Sequence, residues 1–276
     1  MGLPTIAFLL LVWANGALTP IGASLGSTAP LDLGFRQMYN LEFNDAHATF
    51  QAYVSAHPED PFGLTSDGAA YLFDEFNRLG VLQSELFVDD EKFKGRAKPL
   101  PDPVVREKFN GAIAQSQKLA DAALQHSPSD RNALFATVLN LGLESDYLAL
   151  VEKRDFASLA YTKRAGLAAE KLLAIDPTCY DAYLAIGVEN YILGLKPTPV
   201  RWLLRLYGAE TDEEVGIQKL EVTATKGHYL LPFARLLLAV AAIRAKNRDQ
   251  AKELLQNLAQ EFPHNGLYRR ELARLQ

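Results

Sequence analysis

The chain has a single cysteine, Cys179, with two methionines and two tryptophans among 276 residues. One cysteine excludes an internal disulfide, so the fold must be held by its core alone. Cys179 follows Pro177 at a helix-to-helix turn and reads as a small buried filler, not a reactive thiol. Basic residues are not in excess: 28 Lys and Arg against 33 Asp and Glu give a formal net charge of -5. That balance argues against nonspecific nucleic-acid binding, which needs a basic face to displace counterions. Alternating β-branched residues with turn glycines are nearly absent, so strands are not expected. The sequence lacks a phosphate loop, a dinucleotide fingerprint and a GxSxG elbow. It also lacks the HExxH and CxxC spacings that hold zinc. No catalytic group, metal or cofactor is therefore expected. Of the five histidines, His57, His126 and His264 fall at the ends of second helices, where an imidazole complements the helix dipole. His47 lies on an ordinary repeat helix and His228 in a turn beside Gly227.

What is present begins with an apolar run, Ile6 to Ala14, too short to span a bilayer. Small residues follow, with cleavage sites before Ser24 or after Ala17, although no Lys or Arg precedes the run. Residues 1–23 are expected to be a signal peptide or N-terminal anchor, making the protein exported, periplasmic or membrane-associated. Residues 28–276 are expected to be one helical domain. Helical periodicity runs from Leu31 onward. Caps and breakers predict Leu31 to Leu41, Asn44 to Ala56, Phe62 to Leu82, Val104 to Gln125, Asp130 to Val151 and Asp155 to Ile175. They continue with Tyr180 to Leu193, Glu213 to Lys226, Leu231 to Ala245, Asp249 to Glu261 and Leu267 to Leu275. Asn44, Asp130 and Asp155 are the expected N-caps. Pro58, Pro128, Pro177 and Pro263 cannot continue a helix and enforce the turn to the next pair.

A spaced triplet recurs: Ala46, Phe50, Pro58 near the start and Ala251, Leu255, Pro263 at the end. Each follows a helix with a small residue, Gly34 or Ala239. A fixed period of helix pairs means a solenoid, which is usually a binding surface. These residues, with Leu64, Gly68 and Tyr71, and with Tyr183, Ile186 and Gly187, resemble the tetratricopeptide repeat (TPR) family. The run Asn190-Tyr191, Gly194, Pro199, Arg201-Trp202, Leu206, Gly208, Gly216, Leu220-Glu221 and Gly227 further resembles bacterial exported TPR-like proteins of unknown role. The resemblance implies an all-α, antiparallel helix-pair solenoid of about five pairs. Departures from the 34-residue period point to two insertions, 85–103 and 195–211, and to a lengthened third pair. The first insertion carries Lys92, Lys94, Arg96 and Lys98, read as a solvated loop. The second carries Arg201, Trp202, Arg205 and Tyr207, either a helix tucked against the solenoid or a docking element for a partner or a membrane surface through 199–207.

In TPR solenoids the first helices line the concave face. That register places Phe35, Met38, Tyr39, Leu72, Phe73, Phe135, Leu139, Leu184, Val188, Tyr191, Ile192, Phe233, Leu236 and Val240 there, with Glu189 close by. So apolar a groove either binds a helix or extended peptide or is already covered, because exposed patches of that size are rare. The expectation is a non-catalytic scaffold that binds a partner protein or peptide on the uncovered part. The alternatives are a carrier or sensor of a hydrophobic small molecule, and an enzyme using Glu189.

Overall fold

The computed structural model describes residues 29–81, 95, 97–195 and 212–275. Among the described residues eleven α-helices follow in chain order: α1 (Ala29–Tyr39), α2 (Phe43–Ala56), α3 (Pro61–Leu79), α4 (Pro103–His126), α5 (Arg131–Asp146) and α6 (Asp155–Ile175). They continue as α7 (Tyr183–Gly194), α8 (Glu213–Lys226), α9 (Leu231–Arg244), α10 (Arg248–Glu261) and α11 (Gly266–Arg274). A π-helical segment, Tyr147–Val151, extends α5, and a 3-10 turn, Tyr180–Ala182, precedes α7. No strand occurs among the described residues.

The breakers explain the boundaries. Asp60, Asp130 and Asn265 stand two residues after a turn proline, and each accepts a main-chain N–H in the first turn of the next helix. Asp102 and Asp212 do the same for α4 and α8. Two expected caps are corrected. Asn44 lies inside α2, which starts at Phe43, and Asp155 is the first residue of α6; Glu42 and Arg154 precede them without a side-chain cap bond.

Consecutive helices pack as antiparallel pairs, α1 with α2, α3 with α4, α5 with α6, α7 with α8 and α9 with α10. First helices of neighbouring pairs also touch, α1 on α3, α3 on α5 and α5 on α7. Glycine sets the closest approaches. A Cβ on Gly216 would stand 2.5 Å from the Tyr191 nitrogen, and one on Gly194 would stand 2.6 Å from the Glu213 nitrogen. Buried polar side chains lock other pairs. Thr65, Ser116 and Asn140 hydrogen-bond across α3, α4 and α5, and Ser145 joins Ser158 and Thr162 across α5 and α6. Residues Arg131–Val151 are long and apolar enough to cross a membrane, yet most of that stretch is buried between neighbouring helices.

The stack closes on itself. Phe35 of α1 packs 4.7 Å from Tyr229, at the head of the fifth pair, and Tyr39 lies 5.5 Å from Phe262. Phe62 bridges Phe35, Phe135 and Tyr229. Asn265 donates to the Tyr39 main-chain oxygen, and the His264 N–H donates to Asn40. On the outside of this seam His228 pairs with Asp32 and His264 with Glu42.

Candidate functional site

The inner stripes of the first helices decide what this closed stack can offer. On α5 the stripe runs Phe135, Leu139, Gly142, Asp146, positions that share one face at 3.6 residues per turn. On α7 it runs Leu184, Val188 and Tyr191, with Ile192 at its edge, and on α9 it runs Phe233, Leu237, Val240 and Arg244. All three helices point the same way, so the stripes can be followed in parallel from head to tail.

Accessibility rises along α5 and α7. Phe135 and Leu184 at their heads are buried in the core, as are Phe35, Met38 and Tyr39 of α1 and Leu72 of α3. In the middle Leu139, Val188, Phe233 and Leu237 are half-buried and pack on one cluster with Leu184 and Leu238. Phe73 reaches the same level, edge-on to Phe233 at 5.4 Å. At the tail Gly142, Asp146, Tyr191 and Val240 are half-buried, and Ile192 is 39% exposed. The expected groove is thus plugged at its head by the protein's own aromatic rings. The physical cause is the closure of the first pair onto the fifth, which removes apolar surface from water. What remains accessible is apolar surface on the tail halves of α5 and α7 and along α9.

One residue expected close to the groove is placed elsewhere, as is its neighbour Asn190. Glu189 is buried, and it points back at α6: its carboxylate lies against Gly166, where an added Cβ would come 1.9 Å from Oε2. Asn190 donates to the Ile186 carbonyl and faces α8, where its oxygen lies 3.4 Å from the Asp212 nitrogen. One residue on a helix is a 100° rotation, so the neighbours of Val188 cannot share its face. Arg201, Trp202, Arg205 and Tyr207 lie outside the described residues, as do Lys92, Lys94 and Arg96.

Asp146, which the sequence alone did not single out, ends the α5 stripe. It stands eleven residues beyond Phe135, about three turns along the same stripe. Among the described residues no hydrogen-bonding or ionic partner reaches its carboxyl group. Burial pushes that group from 3.8 up to about 7. One turn earlier, a Cβ on Gly142 would meet nothing within 4 Å. The signal that finds this residue is the continuation of the Phe135 and Leu139 stripe into an acid.

Several other polar groups have structural partners, whereas the buried Tyr147 hydroxyl has none among the described residues. Asp181 accepts the main-chain N–H groups of His228, Tyr229 and Leu230, fixing the head of the fifth pair. Glu75 is clamped by both Arg78 nitrogens and receives the Asp102 N–H. His47 pairs with Asp67, and His126 contacts the Ala122 carbonyl at the end of α4. Burial raises the Cys179 thiol to about 12, so it is not a thiolate near neutral pH. No cluster of metal-ligating side chains occurs among the described residues. A small cavity of about 70 Å³ lies at the seam among Tyr39, Phe73, Phe233 and Tyr268. It is less than half the roughly 150 Å³ that accommodates benzene.

No protein-family model matches the chain, and neither a curated protein nor a solved structure does. The functional reading therefore rests on the site.

Proposed function

We propose that this chain is a non-catalytic helical-repeat scaffold of the TPR type, and that its accessible inner surface receives a segment of a partner protein. The observation that carries the reading is the rise in accessibility along α5 and α7. Aromatic rings seal the head, while Val188, Tyr191, Ile192 and Val240 keep accessible apolar surface at the tail. Paired helices with touching first helices support the repeat reading. An accessible apolar patch beside a rigid, closed core suits the docking of a short helix or extended peptide. The apolar run at residues 6–14 puts that partner on the exported side in this reading.

The test is site-specific photo-crosslinking in intact cells. A photoreactive residue at position 192 should give a discrete protein adduct. The same residue at position 167, where Leu167 stands exposed on α6, should not. Adducts at 167 alone would move binding to the outer surface, and adducts at neither position would remove the scaffold reading.

A further inference from the structure

We infer that the seam cavity binds a small branched aliphatic group that carries a carboxylate, with Arg270 as its counter-charge. The inference stands apart from the scaffold reading, because the cavity is not built from the accessible stripes of α5 and α7.

The cavity exists because the stack closes. Its walls are Tyr39 of α1, Phe73 and Phe76 of α3, Phe233 and Leu236 of α9 and Tyr268 of α11. The rings meet in space, with Tyr39 6.1 Å from Phe73 and Phe73 5.4 Å from Phe233. The space between these apolar walls, about 70 Å³, is close to half of the roughly 150 Å³ that takes benzene. It has room for about three or four carbon atoms, an isopropyl or isobutyl group and not a ring or a long chain. Asn77, near the end of α3, and Arg270 of α11 line the same cavity from solvent-exposed positions. Among the described residues that line it, Arg270 alone is charged. Neither its guanidinium nor the Asn77 amide has a hydrogen-bonding or ionic partner among the described residues. Arg274 on the same helix and Arg248 of α10, by contrast, hold the Glu271 carboxylate and the Leu275 carbonyl.

The ligand chemistry follows from these two parts. A guanidinium presents paired N–H donors that match a carboxylate. Aliphatic carbons beside that carboxylate leave water for the aromatic walls. A cationic ligand would meet like charge, and an uncharged one would gain nothing from Arg270. A ligand held there touches α1, α3, α9 and α11 together, so it binds the closed stack and not the unfolded chain. A free short-chain acid carries this chemistry, and so does the last residue of a polypeptide ending in leucine or valine.

The groove between α8 and α10 over α9 is larger, about 550 Å³, but Arg235 there already contacts the Ala224 carbonyl and Glu261. Glu221 and Glu253 line it as well, so it does not offer the same unopposed cation.

The experiment titrates the full chain with isovalerate and follows the aromatic NMR signals of Tyr39, Phe73, Phe233 and Tyr268. Saturable shifts at these rings are expected. Acetate lacks the branched group and should bind roughly tenfold more weakly. Isovaleramide lacks the charge and should bind about fivefold more weakly. Arg270→Gln should weaken isovalerate by about fivefold and leave isovaleramide unchanged. Arg270 is exposed, and circular dichroism checks that the variant is folded. The acetylated tripeptide Ala-Ala-Leu separates the two sources. Displacement of isovalerate by the free peptide but not by its C-terminal amide would assign the site to a polypeptide end, and no displacement by either would assign it to a free acid; both outcomes keep the site. The inference is overturned by no saturable binding, by shifts confined to other residues, by equal affinity for acetate or isovaleramide, by equal displacement by the amidated peptide, or by an unchanged affinity in Arg270→Gln.

Discussion

The Tyr39 hydroxyl donates to the main-chain oxygen of Tyr229 at 3.0 Å, joining residues 190 positions apart. This bond sits inside the aromatic closure, where burial raises the proton affinity of the Tyr39 phenol well above its usual value and keeps it a donor. Tyr39→Phe should keep the packing but orphan a buried carbonyl. A loss of about 1–2 kcal/mol is expected by urea unfolding.

Closure should depend on rings far more than on ion pairs. Phe35 is buried against Tyr39, Phe50, Phe62 and Tyr229, so Phe35→Ala should cost about 3–5 kcal/mol. The pairs His228–Asp32 and His264–Glu42 are half open to solvent. His228→Ala and His264→Ala should each cost no more than about 1 kcal/mol in the same assay.

Glycine substitutions should separate by what a Cβ would meet. Gly216 faces the Tyr191 main chain at 2.5 Å, and backbone cannot be pushed aside by a rotamer change. Gly216→Ala should destabilise by more than about 3 kcal/mol. Gly111 lies exposed in α4 with nothing within 4 Å. Gly111→Ala should stabilise by about 0.5–1 kcal/mol, because alanine loses less backbone freedom in a helix. Thermal melting of both variants reads the two signs directly.

Asp146 should leave a signature in the pH dependence of stability. Its carboxyl group ionises near 3.8 in the unfolded chain and near 7 in the folded one. Between those values the folded protein holds a proton that the unfolded chain has lost, so this group erodes stability as pH rises from about 4 to about 7. Above 7 the effect is constant, and below 4 it vanishes. Asp146→Asn should therefore match the wild type near pH 4 and exceed it at pH 8 by ~3 kcal/mol, a figure reduced because the side chain keeps some solvent access. Urea titrations at four or five pH values test this, and parallel curves for the two proteins would contradict it.

The helices were readable because proline and the residues just after it punctuate the chain: Pro58 with Asp60, Pro128 with Asp130 and Pro263 with Asn265 mark both an end and the following cap. Periodicity gave the element type, and the inner stripes followed from the register of the first helices. The misreadings came from geometry that short spacings do not carry. Asn44 and Asp155 are good cap residues placed one step too far along the chain. Glu189 adjoins an inner residue in sequence and faces Gly166 in space. Asp146 was not singled out, because one acid at the end of an apolar stripe is no motif. Closure itself was not legible, since it depends on Phe35, Tyr39, Tyr229 and Phe262 meeting across most of the chain, and no local pattern encodes that meeting.

An open array of repeats can melt from either end, because each unit leans only on its neighbours. The Tyr39–Tyr229 and Tyr39–Asn265 bonds take that freedom away from this chain. Its first pair is complete only when residues 229 to 268 have been made, so an emerging polypeptide holds Phe35 and Phe62 uncovered until those residues have left the ribosome. Such contacts between distant residues slow folding and leave apolar surface open to wrong partners in the meantime. The reward is cooperativity: helix pairs whose first and fifth members hold each other should lose their structure in one transition, and not by peeling.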